Sequence, residues 1–281
     1  FAQKAGEELQ DYQKWTDMTF PGDGDALLQV NGAGENLTWS AGDFENFVEP
    51  RPDLPDNMEG ELEKIVELLA EKKWPFRIHA TYDESIDRML NVFERVNQKQ
   101  PFATRFIIDH AETVSDKNIE RIGALGGGIA IQHRMAFQGE TFVQRYGADA
   151  AKATPPVKKM LELGVPVGAG TDATRVASYN PWVCLYWLST GKTLGGLPLF
   201  DEKNLLDRKT ALELWTKGSA WFSGEQNVKG ALNEGELADL VVLSDDYFSV
   251  EAESIQWIES VMTVLGGKVV YAGAEFKQDD P

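Results

Sequence analysis

The 281-residue sequence is short of cysteine, of positive charge and of histidine, and each shortage narrows what the protein can be. A single cysteine, Cys184, allows no intrachain disulfide and no cysteine cage for zinc, which favours a reducing, cytoplasmic compartment. No run of about 18 apolar residues occurs, and the N-terminus lacks the basic-then-apolar order of a signal peptide, so a soluble protein with no membrane partner is expected. With 27 basic against 45 acidic side chains the formal charge is −18, which repels phosphate and disfavours nucleic acid or an anionic membrane surface as a partner. Asp279 and Asp280 fit solvated surface. The sequence starts at Phe1 without an initiator Met, so the expectation is a processed chain or a piece of a longer protein.

Against these shortages stands an apolar content of 42%, ample for a packed core, distributed as short apolar runs alternating with longer amphipathic ones. Glu59–Lys72 has helical spacing and leads into a strand at Pro75–Ala80, "PFRIHA". Thr81 and Glu84 have capping-box spacing ahead of a helix marked by Ile86, Met89, Leu90, Phe93 and Val96. Strands follow at Arg105–Asp109, Gly128–Gln132 and Val165–Gly168, with helices at Asn118–Leu125 and Thr154–Leu163 between them. Ala26–Asn31, "ALLQVN", reads as an earlier strand, residues 1–14 as a helix remnant and residues 48–57 as a Pro-rich loop. Alternation of this kind implies parallel strands with helical crossovers, in an open doubly wound sheet or a (β/α)₈ barrel. Beyond helices at Asn180–Leu188 and Arg208–Lys217 the texture changes to late strands with a Gly266–Gly267 hairpin turn, a small β element.

Only three histidines exist, and each falls at or just past the end of a predicted strand: His79, His110 and His133, followed by Asp172 in the same kind of position. Their gaps of 31, 23 and 39 residues suit a barrel of about 250 residues cut into eight units, although an open sheet gives a similar figure. In a parallel α/β fold the C-terminal strand ends converge on one cavity. His79, His110 and Asp172 form two imidazoles and a carboxylate, a set suited to zinc or a similar divalent metal, which would also offset the cost of the Asp172 charge.

"FRIHATYDES", "RFIIDHAE", "GVPVGAGTDA", "GELADLVVL" and "VLGGKVVY", in this order, closely resemble the second half of the metal-dependent amidohydrolases, in the branch that includes the N-substituted formamide deformylases. The resemblance runs from about residue 26 to residue 276. It implies the C-terminal part of a (β/α)₈ TIM barrel, about strands 4 to 8, over residues 1–225, followed over residues 226–281 by strands of a small β-sandwich. It also implies hydrolysis of a carbon–nitrogen, amide-type bond in a small molecule by metal-activated water. On that reading His79 and His110 are metal ligands, His110 alternatively polarises the scissile carbonyl, and Asp172 lines the metal and shuttles the proton to the leaving nitrogen. His133, Arg134 and Arg175 are expected to face substrate, with Tyr82, Ser178, Tyr179 and Asn180 shaping the pocket.

The pattern departs from the family in three respects. No His-x-His pair occurs, roughly the first half of a barrel is missing, and no lysine stands at the strand-4 position, where the nearest equivalent is Leu27 with Gln29 two residues on. Glu35 is a candidate substitute for that lysine, and a mononuclear site follows. A chain so reduced is expected to be a fragment, inactive alone, that self-associates through exposed half-barrel edges as a homodimer. One rival is a non-catalytic amidohydrolase-like protein that has lost its metal site. The other, a nucleotide-binding domain, is disfavoured because "GALGGGIA" precedes a strand where a phosphate loop follows one.

Overall fold

The computed structural model describes residues 4–44 and 47–276; the expected surface acids Asp279 and Asp280 lie outside them. The chain divides into two compact units, residues 1–131 with 154–167, and residues 132–153 with 168–281.

In the first unit, helix α1 (Glu8–Met18) and helix α2 (Met58–Glu71) precede strand β1 (Phe76–Ala80), helix α3 (Asp83–Lys99), strand β2 (Phe106–His110), helix α4 (Asp116–Ala124) and strand β3 (Gly128–Gln132). The strands are parallel, with Phe76 opposite Phe106 and Ile108 opposite Ile129. β2 and β3 are buried along their whole length, as strands covered on both faces must be. Helix α7 (Val157–Glu162) returns the chain, and the Ile129 N–H donates to the Pro166 carbonyl at 2.9 Å, where strand β4 (Val167–Gly170) begins. The predicted helix–strand alternation is therefore present as a parallel sheet.

Packing explains why these segments hold. Phe76, Phe93, Phe102 and Phe106 form an aromatic cluster with ring centroids 5.1 to 6.4 Å apart. Gly127 admits that cluster, since a Cβ there would sit 2.3 Å from the Phe106 ring. On the outside, Arg88 pairs with Glu59 and Arg121 with Glu94, tying α3 to its neighbours by charge at small individual gain.

Two local expectations fail for identifiable reasons. Ala26–Asn31 forms no strand, because the Asp25 carboxylate accepts the N–H groups of Leu27 and Leu28 at 2.8 and 3.0 Å and bends the chain. Leu27 and Leu28 are left 86% and 78% exposed. Nor do Thr81 and Glu84 close a capping box: the Thr81 N–H is engaged by Asp43, and Glu84 pairs with Arg51. The cap of α4 does form, with the Ser115 hydroxyl accepting from the Asn118 N–H at 3.3 Å.

The second unit contains helix α5 (Arg134–Tyr146), the short helix α6 (Ala148–Ala151), the rest of β4, helix α8 (Pro181–Thr190), and helices α9 (Arg208–Glu213) and α10 (Ser219–Phe222) joined by a π turn. Helix α8 buries Trp182 through Leu188 on every side and is bounded by an Asn180 cap and by Gly191 in the left-handed region. Strands β5 (Leu240–Leu243), β6 (Ser260–Leu265) and β7 (Lys268–Ala272) form an antiparallel sheet in that order, and Gly266 and Gly267 make the expected hairpin turn with φ of 55° and 76°. Among the described residues no helix is long and apolar enough to cross a membrane.

Candidate metal centre

A segment too short to show in the hydrophobic pattern begins the site. Ala33 bridges Phe76 in parallel, its N–H donating to the Pro75 carbonyl at 2.9 Å and its carbonyl accepting from Arg77 N–H at 2.8 Å. Two residues on, the Glu35 carbonyl accepts from the His79 N–H at 3.1 Å. Residues 33–35 thus run beside β1 and deliver Glu35 to the same level as His79. Leu27 and Gln29, the expected strand-4 position, do not run beside β1; residues 33–35 do.

His110 reaches the same point by a different device. Register pairs His79 with Asp109, so these two share a sheet face, and regular alternation would turn His110 to the other. Instead His110 and Ala111 adopt φ of 78° and 52°, a left-handed pair that redirects the imidazole. Each such residue costs about 1–3 kcal/mol and persists only where its surroundings enforce it. Here the Ala111 N–H donates to the Ala80 carbonyl at 2.9 Å and the Thr113 N–H to the Thr81 carbonyl at 3.1 Å. The rings of His79 and His110 end 4.3 Å apart.

The result is a three-group cluster. Glu35 Oε1 lies 3.9 Å from His79 Nδ1, and Glu35 Oε2 lies 3.7 Å from His110 Nε2. One ligand atom from each of the three residues falls within 4.8 Å of the others, with both imidazoles buried and the carboxylate half-buried. The His110 imidazole holds the Glu35 carboxyl down to about 2 against the opposing effect of burial, with His79 and Arg77 adding to the pull. Glu35 is an anion at neutral pH. Ligand atoms of a tetrahedral zinc with bonds near 2.1 Å are about 3.4 Å apart, so small side-chain movements would close this set around a divalent cation.

Beneath the cluster, Arg77 forks onto Asp109, with Nε donating to Oδ2 at 2.7 Å and Nη2 to Oδ1. Burial pushes the Asp109 carboxyl up, and the guanidinium opposes it. Beside the cluster, Phe44 packs against His79 with centroids 4.4 Å apart. Asp43, fully buried, accepts from the Thr81 N–H at 3.0 and 2.8 Å and from the Tyr82 N–H at 3.0 Å, and its Oδ1 lies 3.2 Å from His79 Nε2.

Two imidazoles and a carboxylate thus gather beside the C-terminal ends of a parallel sheet, a donor set suited to a divalent cation. The sequence model described as "Amidohydrolase family" matches residues 2–271. The chain belongs to the amidohydrolase family. It is 26% identical over 213 residues to a Bacillus subtilis (strain 168) protein named as an amidohydrolase, YtcJ, covering 75% of this chain and 40% of that one. With the N-substituted formamide deformylase of Arthrobacter pascens it shares 25% over 196 residues, or 69% of this chain and 36% of that one. Its fold is similar to that of a metal-dependent hydrolase from Pyrococcus horikoshii OT3, with a TM-score of 0.67 at 22% identity over 87% of this chain and 50% of the other. The chain spans well under half the length of the two curated relatives.

Of the residues singled out by sequence, His79 and His110 come together, and Glu35 joins them. Asp172 follows β4 in the second unit, exposed and with φ of 52°. His133 precedes the first residue of α5, its side chain making no cap bond, and is fully buried, its ring 5.4 Å from that of Phe137. Burial pushes the His133 imidazole down to about 4, with the Gly170 carbonyl opposing. Arg134 is buried in the first turn of α5, and Arg175 is exposed. The second unit also holds an apolar cavity of about 650 Å³ walled by Trp182, Leu212, Trp215, Leu240 and Val241; none of the candidate residues lines it.

Sequence reasoning missed Asp43, Phe44 and the Arg77–Asp109 pair. The last had a signal, opposite charges set into two otherwise apolar neighbouring strands, "FRIHA" and "FIIDH". Asp43 had none, because its partners are backbone N–H groups 38 and 39 residues away.

Proposed function

We propose that this chain carries the metal-binding part of a hydrolase for carbon–nitrogen bonds of the amide type in small molecules, with N-substituted formamides as the first class to test. The observation that carries the reading is the Glu35, His79 and His110 cluster. These residues would hold one divalent cation, zinc first, since two imidazoles and an anionic carboxylate match its donor preference. Such a cation supplies Lewis acidity toward the substrate carbonyl and lowers the pKa of water.

The remaining roles belong to the chain. Asp172, exposed just past a strand end in a left-handed conformation, is proposed to take a proton on its carboxylate and return it to the leaving nitrogen. Arg175 is proposed to orient substrate from the same loop. His133 and Arg134, both buried at the start of α5, are proposed to support the substrate-facing wall. Residues 1–225 are proposed as barrel and 226–281 as sandwich strands, with self-association through the exposed edges of the half-barrel.

Elemental analysis of protein purified without chelators tests the reading, on wild type, Glu35→Gln and His110→Ala. One equivalent of metal per chain in the wild type, lost in both variants, is expected, and hydrolysis of N-substituted formamides is then assayed. A wild type that binds no added zinc would mean that the fold is kept without the chemistry.

A further inference from the structure

Asp43 makes two kinds of contact that together constrain one proton. Its carboxylate accepts three backbone hydrogen bonds from Thr81 and Tyr82, at 2.8 to 3.0 Å, which fixes the group rigidly at the start of α3. The same Oδ1 lies 3.2 Å from His79 Nε2. An ionised carboxylate has only acceptors, so a small ring rotation that aligns this contact into a hydrogen bond makes Nε2 the donor. The other ring nitrogen, Nδ1, faces Glu35 at 3.9 Å. A metal ligand must present a lone pair, and a neutral imidazole has one on only one nitrogen.

We propose that Asp43 is a positioning residue that keeps the His79 proton on Nε2 and so leaves the Nδ1 lone pair aimed at the cation position shared with Glu35 and His110. This rests on the cluster being a metal site, and it assigns Asp43 the orienting role that carboxylates commonly play behind metal-bound histidines. The Thr81 hydroxyl also lies near Nε2, at 3.5 Å, but it both donates and accepts and so imposes no tautomer.

The Asp43→Asn variant gives a sharp test. Its amide oxygen is drawn to the two N–H groups of Thr81 and Tyr82, which turns the NH₂ toward His79. A donor there requires a lone pair on Nε2 and moves the proton to Nδ1. The variant therefore retains the two backbone contacts made by Oδ2 but inverts the tautomer, an effect that loss of a merely structural contact would not produce.

The measurement is ¹⁵N imidazole NMR on metal-free, ¹⁵N-histidine-labelled full chain, with the three histidines assigned by single substitution, alongside zinc titration. Expected are a pyridine-type Nδ1 in the wild type, an inverted pattern in Asp43→Asn, no inversion in Thr81→Val, and at least 10-fold weaker zinc binding in Asp43→Asn. A pyridine-type Nε2 in the wild type would overturn the proposal, as would an Asp43→Asn protein with wild-type tautomer and zinc affinity, or inversion in Thr81→Val. If Asp43→Asn does not fold, the wild-type and Thr81→Val spectra decide. Should the wild type bind no zinc, the metal reading fails separately, while the tautomer still decides the role of Asp43.

Discussion

Gly34 faces the carbonyl of Arg77 so closely that a Cβ on it would sit 2.1 Å from that oxygen. With φ of 119° as well, the position excludes any side chain on two counts. The Gly34→Ala substitution should push residues 33–35 off β1 and carry Glu35 away from His79. We expect loss of zinc binding together with destabilisation of more than about 1 kcal/mol, read by calorimetric titration and urea denaturation. Wild-type zinc affinity in Gly34→Ala would show that Glu35 is not delivered by this contact.

Zinc should raise thermal stability in proportion to its binding, by about 2.7 kcal/mol at a free concentration one hundred times Kd. Glu35→Gln removes the anionic ligand and should abolish this zinc-dependent rise in Tm while leaving the metal-free Tm within a few degrees. A rise that survives in Glu35→Gln would place the stabilising metal elsewhere.

Arg77→Met leaves the fully buried Asp109 carboxylate without its fork. Removing one partner of a fully buried pair costs about 3 kcal/mol, and less is expected here because the Arg77 side chain is 44% exposed, whereas replacing both partners by apolar groups is often near neutral. Arg77→Met should thus be clearly less stable than the Arg77→Met, Asp109→Leu double variant. Equal losses would mean that the pair is not coupled.

His133 is neutral in the folded protein until the pH approaches about 4, but titrates near 6.5 when unfolded. Between those values the unfolded chain binds more protons, so the stability contributed by burying the neutral ring is complete above pH 6.5 and declines as pH falls toward 4. The loss reaches at most about 3 kcal/mol, at about 1.4 per pH unit. Urea denaturation at pH 7.5 and pH 5 should show a smaller stability difference for His133→Gln than for wild type; an identical difference would rule out a His133 contribution.

The order of helices and strands was readable because amphipathic and apolar runs of five or more residues impose their period. β3 matches its expected range of Gly128–Gln132, and the other parallel strands shift by only one or two residues. Helix α5 was not anticipated: Gly139 interrupts its pattern, and the reason is tertiary, since a Cβ there would meet Leu199 and Thr193 at 2.6 Å. The site was legible in His79 and His110, whose strand-end positions follow from periodicity. It was not legible in the short segment Ala33–Glu35, bridged to β1 at Ala33 alone, which has two flanking or internal glycines and no apolar alternation. "ALLQVN" looked the better strand and lost because Asp25 captured its backbone.

The left-handed turn at His110 makes two consecutive residues of β2 face inward, Asp109 onto Arg77 and His110 onto Glu35. Foundation and ligand are thereby joined by a single peptide unit, with no flexible side-chain relay between them. A shift of a few tenths of an ångström in how β2 seats against β1 is handed to the His110 imidazole undiminished. The placement of His110 is thus set by the sheet, and its distance from Glu35 can be tuned by substitutions in the strand interior that never touch a bound ion.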